Sequence, residues 1–148
     1  MTIETRAAAP GVPDAADVHE HGGGWKPALV GVALSLLFVP LLMELRDVTM
    51  DFLAMILAAS GGIYWGVAAG EGGRRVKAME ALAGLAFVFM AMLGLSWTSL
   101  WTVAGFALHG AWDLLHHPRR IRTGLRRWFP PFCATFDFLV AIYILLLR

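Results

Sequence analysis

The sequence predicts an all-α protein, a polytopic membrane helix bundle with about five transmembrane helices. Hydrophobic residues make up 58% of the 148 residues and charged residues only 16%, whereas soluble domains carry roughly 25% charged residues. The mean hydropathy is +0.65. A small soluble domain could not bury so much apolar surface, because small chains bury the smallest fraction of their surface. Lipid solvates apolar side chains, so the composition favours a membrane protein.

Residues 1–26 precede the first apolar segment and differ from it in composition. They are polar, rich in Ala, Gly and Pro, and include four acidic residues. This composition is typical of a disordered tail, and it lacks the cationic start and small-residue cleavage site of a signal peptide. We therefore expect a disordered cytoplasmic tail at 1–26 and one five-helix membrane domain at 27–148.

Five apolar segments are long enough to cross a bilayer, which takes about 20 residues with a range of about 17–25. They cover residues 27–43, 50–70, 77–95, 97–115 and 131–147. Segments three and four nearly abut, so residues 96–99 must form a tight turn. Pro131 suits the first turn of a helix, whereas Pro118 cannot continue the fourth helix.

The basic residues predict the orientation of these spans. With five spans, the tail, the second loop and the fourth loop share one side and hold ten of the twelve Lys and Arg residues, while Arg46 and Arg148 lie on the other side. The positive-inside rule then places the N-terminus in the cytoplasm and the C-terminus outside, in the cell (plasma or inner) membrane. The five arginines between Arg119 and Arg127 predict contact with anionic lipid headgroups. The net charge of +1 predicts no nucleic-acid partner.

Three glycines recur at intervals of four in the second span, at Gly62, Gly66 and Gly70. Small residues at this spacing form a smooth stripe that lets another helix approach closely. We favour packing within the chain, and the alternative is a homo-oligomer formed through the same stripe.

Ionisable residues share one face of the fourth span and recur in the fifth. At about 100° per residue, His109, Asp113 and His116 fall within about 60° of one another, and His117 lies about 40° further round. Cys133 and Asp137 are four residues apart on the fifth span. In the predicted orientation, all of these residues lie in the cytoplasmic third of the membrane domain.

Two further residues reach the same level, Glu80 at the start of the third span and Tyr64 near the end of the second. An ionisable group at the centre of a span costs about 2.5–3.5 kcal/mol on insertion scales, so such groups tend to face the interior, to pair and to mark function. Imidazole and carboxylate ligands suit zinc or non-haem iron, and a thiolate would favour zinc. The candidate metal ligands are His109, Asp113, His116, His117, Cys133 and Asp137, and the candidate proton carriers are Glu80 and Asp137.

Three functions remain open for this polar cluster. The first is a metal or catalytic centre acting on a lipophilic substrate that enters from the bilayer. The second is a structural or accessory protein, in which the two aspartates hydrogen-bond His109 and Trp112 and lock helices four and five together. The third is a small proton-coupled transporter or channel subunit, although the outer halves of spans three to five offer almost no ionisable group to continue a path.

Two segments of the chain resemble a family of small bacterial integral membrane proteins of unknown function. They are His109-Gly110-x-Trp112-Asp113-x-x-His116-His117 and Trp128-x-Pro130-x-x-Cys133-x-x-Phe136-Asp137, with eleven residues at fixed spacing. The resemblance covers about residues 105–147. It implies a membrane protein, and it implies no reaction, because that family has no established activity.

The orientation is testable with reporter fusions at the two ends of the chain. We expect a cytoplasm-active reporter to work at the N-terminus and an export-dependent reporter to work at the C-terminus, because the basic residues are concentrated on the N-terminal side. Finding both ends on one side of the membrane would require an even number of spans and would contradict this arrangement.

Overall fold

The computed structural model describes residues 25–44, 46–70, 73–116 and 125–146. Within these ranges the chain forms helices and no strands, which confirms the all-α part of the predicted fold class. The five helices are α1 (Lys26–Glu44), α2 (Arg46–Ala69), α3 (Arg74–Ser96), α4 (Leu100–His116) and α5 (Phe129–Leu146). The predicted tail before Trp25 lies outside the described residues, as do Pro118 and the arginines Arg119, Arg120 and Arg122.

Several helix boundaries differ from those read off the apolar segments. α3 begins at Arg74 rather than at residue 77, because charged residues extend a helix beyond its apolar stretch. α4 begins at Leu100 rather than at residue 97. The intervening residues form the predicted turn, in which the Trp97 N–H donates to the Leu93 carbonyl at 2.9 Å and the Trp101 N–H to the Thr98 carbonyl at 3.0 Å.

α5 starts at Phe129, two residues before the predicted start at Pro131. Pro130 and Pro131 therefore both lie in the first helical turn. This position tolerates proline, because the N–H groups there have no partner within the helix.

Three helical stretches are long and apolar enough to cross a membrane. These are Val48–Ala69, Arg74–Ser96 and Phe129–Leu146. A shorter apolar stretch covers Lys26–Pro40 in α1. α4 has 17 residues, which at 1.5 Å per residue gives about 25 Å, and it carries the densest set of ionisable side chains. α4 therefore falls below the length of the three candidate spans, and it also buries more polar side chains than any other described helix.

The five helices pack side by side as a ring, and this polar helix is one member of it. α5 packs between α1 and α4, α3 packs between α4 and α2, and α2 also contacts α1 and α4. Glycines set the closest approaches. A Cβ atom at Gly61 would lie 2.5 Å from the Gly84 carbonyl oxygen, so α2 and α3 touch backbone to backbone. A Cβ atom at Gly110 would lie 3.2 Å from the Ala134 carbonyl oxygen, which brings α4 onto α5.

The glycine stripe does not pack as predicted. A Cβ atom at Gly62 or Gly66 would meet no atom of another described residue within 4 Å, and one at Gly70 would meet only its own helix. The prediction that this stripe packs against another helix of the described chain is therefore wrong. The neighbouring Gly61 makes the close approach instead. The physical reason is rotation about the helix axis, since adjacent residues point about 100° apart. The homo-oligomer through Gly62, Gly66 and Gly70 stays a prediction.

Many large apolar side chains are exposed, and most of the ionisable side chains in the middle of the helices are buried. Leu37 is 72% and Leu146 78% exposed, whereas Glu80 and Asp113 are fully buried. On α4 the leucines Leu100, Leu108, Leu114 and Leu115 face outward, while His109, Asp113 and His116 are buried. A chain surrounded by water would gain by reversing this arrangement.

Candidate functional site

A central cluster of four side chains joins three helices in the bundle interior. It consists of Tyr64 on α2, His109 and Asp113 on α4, and Asp137 on α5. The Tyr64 hydroxyl donates to Asp113 Oδ1 at 2.5 Å. His109 Nδ1 is in direct hydrogen-bond contact with Asp137 Oδ2, and it lies 3.7 Å from Asp113 Oδ2. All four side chains are buried.

The local sequence explains why these groups meet. His109 and Asp113 are four residues apart, which places them on one face of α4 on successive turns. Gly110 lets α5 approach at Ala134, three residues before Asp137. The close contact at this glycine therefore brings Asp137 against His109.

A second group, the end cluster, lies about two turns from His109 along α4 and consists of Glu80, Trp112 and His116. The His116 Nδ1 atom lies 3.0 Å from the Trp112 carbonyl oxygen, and Nε2 lies 2.9 Å from Glu80 Oε1. The Trp112 indole N–H donates to Glu80 Oε2 at 3.3 Å. The end cluster thus joins α3 to α4.

The end cluster is electrically balanced by one shared proton. A carbonyl oxygen only accepts hydrogen bonds, so His116 Nδ1 carries a hydrogen directed at Trp112. The His116–Glu80 contact then needs one proton, on either the imidazole or the carboxyl group. The pair is neutral overall in both cases, which avoids an uncompensated charge in the bundle interior.

The central cluster lacks this balance among its own side chains. It combines two carboxyl groups with one imidazole, and Asp113 Oδ2 is buried without a hydrogen-bond partner among the described residues. If Asp113 is ionised, this oxygen carries unneutralised charge. If Asp113 is protonated there, its hydroxyl has no acceptor. Either state leaves a buried group unsatisfied, which costs about 1–3 kcal/mol or more.

Aromatic rings enclose the imidazole of His109. The rings of Phe87 and Tyr64 pack edge-on against it, with ring centres 5.0 Å and 5.5 Å away. The Tyr64 ring also contacts the His116 ring at 5.8 Å. Tyr64, a member of the central cluster, therefore contacts the histidine of each cluster.

The structure brings together some of the predicted site residues and separates others. Ligand atoms of His109, Asp113 and Asp137 lie within 4.8 Å of one another, so these three residues could hold one metal ion. His116 lies outside this group and pairs with Glu80 instead. Cys133 is half-buried and also lies outside it. His117 lies outside the described residues.

One contributor, Phe87, is absent from the sequence prediction of the site, and another, Trp112, has a different partner from the predicted one. Phe87 packs on His109, and it is indistinguishable in sequence from the other phenylalanines of α3. Trp112 was expected to bond an aspartate, but its indole donates to Glu80. Tyr64 is predicted near the cluster, and its position about three turns after Leu53 and two turns after Leu57, on the same buried face, is the signal that it points inward.

Comparison with known proteins gives a family without a function. A model of a family of unknown function, DUF6010, matches residues 26–147. The chain belongs to this family. No curated protein matches it, and no solved structure does. The match covers all five helices of this DUF6010 member, so both polar clusters lie within the shared domain.

The bond from Tyr64 to Asp113 is testable by removing one oxygen atom. We expect Tyr64→Phe to destabilise the folded state by about 1–3 kcal/mol, because Asp113 loses its hydrogen-bond donor while the ring remains. Thermal unfolding of the purified protein in mild detergent measures this effect. Ser60→Ala is the matched control, since the Ser60 hydroxyl only donates to the Ile56 carbonyl of its own helix. Equal effects of the two substitutions would remove Tyr64 from the cluster's stabilising contacts.

Proposed function

We propose that this protein is an integral membrane protein that binds a divalent metal ion in its bundle interior through His109, Asp113 and Asp137. The observation that carries the proposal is the buried Oδ2 atom of Asp113, which has no hydrogen-bond partner in the described structure. This Oδ2 atom lies 3.7 Å from His109 Nδ1. The carboxylate of Asp137 is the second acidic group beside it.

Charge balance supports a divalent ion. Two ionised carboxylates and a neutral imidazole sum to −2, which one divalent cation neutralises. The alternative is two protons, one on His109 and one on Asp113, which leaves the Asp113 hydroxyl without an acceptor. An ion bound to Asp113 Oδ2 satisfies both the charge and the lone pair of that atom.

The distances are compatible with a small transition-metal ion. Metal–ligand bonds of about 2.0–2.2 Å place two ligand atoms of one ion no more than about 4.4 Å apart. The 3.7 Å between His109 Nδ1 and Asp113 Oδ2 meets this limit. His109 Nδ1 and Asp137 Oδ2 are in direct contact, so these two side chains would have to move apart to hold an ion together with Asp113.

The ligand chemistry favours zinc or iron(II), since imidazole suits both and carboxylate oxygen completes the set. The thiolate argument for zinc weakens, because Cys133 is not part of the triad. Such an ion would supply a Lewis acid or redox centre inside the membrane. The hydrogen bond between Glu80 and His116 places the proton carrier predicted at Glu80 next to the triad, on the same side of α4 as His109.

The proposal includes five membrane spans, with the N-terminus inside and the C-terminus outside. Three helices meet the length and composition of a span, and α1 and α4 pack alongside them in the same ring. Large apolar side chains face outward on all five helices, which supports lipid as the surroundings. The polar clusters lie toward the arginine-rich end, which the positive-inside rule places in the cytoplasm.

A structural role is the second candidate, and a specific observation favours it. Four polar contacts of the two clusters bridge two helices: Tyr64 to Asp113, His109 to Asp137, and Glu80 to both His116 and Trp112. α4 is thereby tied to α2, α3 and α5. In this alternative the clusters only lock the helices, and two protons replace the metal ion.

Metal analysis with and without chelator separates the two candidates. The protein purified under mild conditions should contain about one equivalent of zinc or iron, and chelator should lower its melting temperature. A ligand that binds only the folded state stabilises it by about 2.7 kcal/mol at one hundred times the dissociation constant. His109→Ala should abolish both the bound metal and the chelator effect.

His116→Gln is the matched control. It alters a buried histidine on the same helix face, outside the proposed triad, so it should destabilise the protein while leaving the metal content unchanged. A parent protein without stoichiometric metal, whose melting is unchanged by chelator, would end the metal proposal and leave the helix lock. Loss of metal in both variants would show that the triad is wrongly assigned.

A further inference from the structure

A surface cavity lies beside the polar clusters, between α2 and the segment leading into α5. Its volume is about 340 Å³, and it is lined by Ile63, Leu125, Arg126, Trp128 and Phe129. Pockets that bind small molecules start at about 300 Å³. Ile63 is 40% and Trp128 42% exposed, so the cavity is open to the exterior of the bundle.

We propose that this cavity binds one anionic phospholipid, with its phosphate against Arg126 and the upper part of an acyl chain against Ile63 and Phe129. The lining combines apolar side chains with a single guanidinium group. An amphiphile with an anionic head matches both parts. The inference rests on the proposed function only in assuming that the chain lies in a membrane, and it does not require the metal ion.

Ring contacts and a backbone hydrogen bond hold the residues that line the cavity. The Trp128 ring packs against Phe129 and Phe132, with ring centres 5.6 Å and 6.0 Å away. The Phe129 N–H donates to the Arg126 carbonyl at 3.0 Å, which closes the turn that places Arg126 over the start of α5. A tryptophan held at this position is suited to the headgroup level of a bilayer.

The phosphate must be recognised by the arginine side chain and not by the helix terminus. A helix start normally offers free N–H groups to an anion. Here the Phe129 N–H donates to Arg126 and the Phe132 N–H lies 3.4 Å from the Trp128 carbonyl, while Pro130 and Pro131 have no N–H. Arg126 carries the one cationic side chain among the described residues that line the cavity, and guanidinium groups bind phosphate oxygens in a bidentate manner.

The position of the cavity connects it to the central cluster. Ile63 lines the cavity, and the next residue, Tyr64, donates to Asp113 inside the bundle. Phe129 stands two turns before Asp137 on α5. A lipid in this cavity thus occupies the outer side of the two helices whose inner sides carry Tyr64 and Asp137.

Native mass spectrometry of the full chain in mild detergent tests the proposal with two lipids. Phosphatidylglycerol should be retained in about one copy, with about tenfold or greater preference over phosphatidylcholine, equivalent to about 1.4 kcal/mol. Arg126→Gln should abolish this preference. Arg75→Gln is the matched control, because Arg75 is an exposed arginine on α3 that does not line the cavity. Ile63→Trp should weaken retention of both lipids.

Three results would overturn the site. Equal losses in Arg126→Gln and Arg75→Gln would mean diffuse charge attraction, an unchanged preference in Arg126→Gln would exclude the guanidinium, and displacement of the lipid by millimolar inorganic phosphate would make free phosphate the ligand. The metal content of the same samples keeps the two proposals separate. Lipid retention without metal would leave this site standing and end the metal centre, and metal without lipid selectivity would do the reverse.

Discussion

The contact between His109 and Asp137 is the constraint on which the arrangement of this bundle depends. These ionisable groups lie at the middle of α4 and α5. His109 also has the rings of Phe87 and Tyr64 and the carboxyl group of Asp113 as neighbours. Such groups are tolerated only when each charge has a partner. The requirement fixes the rotation of α4, because His109, Asp113 and His116 must all turn inward together. The rotation of α5 follows, since Asp137 must meet His109.

The same requirement explains the division into two clusters. Glu80 and His116 form a neutral pair with one proton between them, and the indole of Trp112 satisfies the second carboxylate oxygen. The central cluster has one carboxylate more than its imidazole can balance, and Asp113 Oδ2 is where the imbalance is located. The two clusters therefore differ in chemistry despite their proximity. The end cluster pairs both carboxylate oxygens of Glu80 with His116 and Trp112, whereas the central cluster leaves Asp113 Oδ2 without a hydrogen-bond partner among the described residues.

The helical class and the inward face of α4 could be predicted from the sequence, because they follow from composition and from the spacing of His109, Asp113 and His116. The approach of Glu80 and Tyr64 could be predicted from their level in the bundle. The hydrogen-bond partner of each polar side chain could not be predicted. Whether Asp137 meets His109 or His116 depends on helix rotation and depth, which Gly110 and Ala134 set through backbone contact. The same limit misplaced the glycine stripe, where a rotation of one residue moved the packing from Gly62 to Gly61.

The protonation state of Asp113 tests the account most directly, and infrared spectroscopy reports it through the carbonyl stretching band of a protonated carboxylic acid. The parent protein and Asp113→Asn would be compared before and after treatment with chelator. If a metal ion neutralises the cluster, the parent shows no such band from Asp113 as purified, and chelator makes one appear that Asp113→Asn lacks. A band from Asp113 that is present from the start and unchanged by chelator or added metal would contradict the account, because it would show that a proton, and no cation, balances the buried charge.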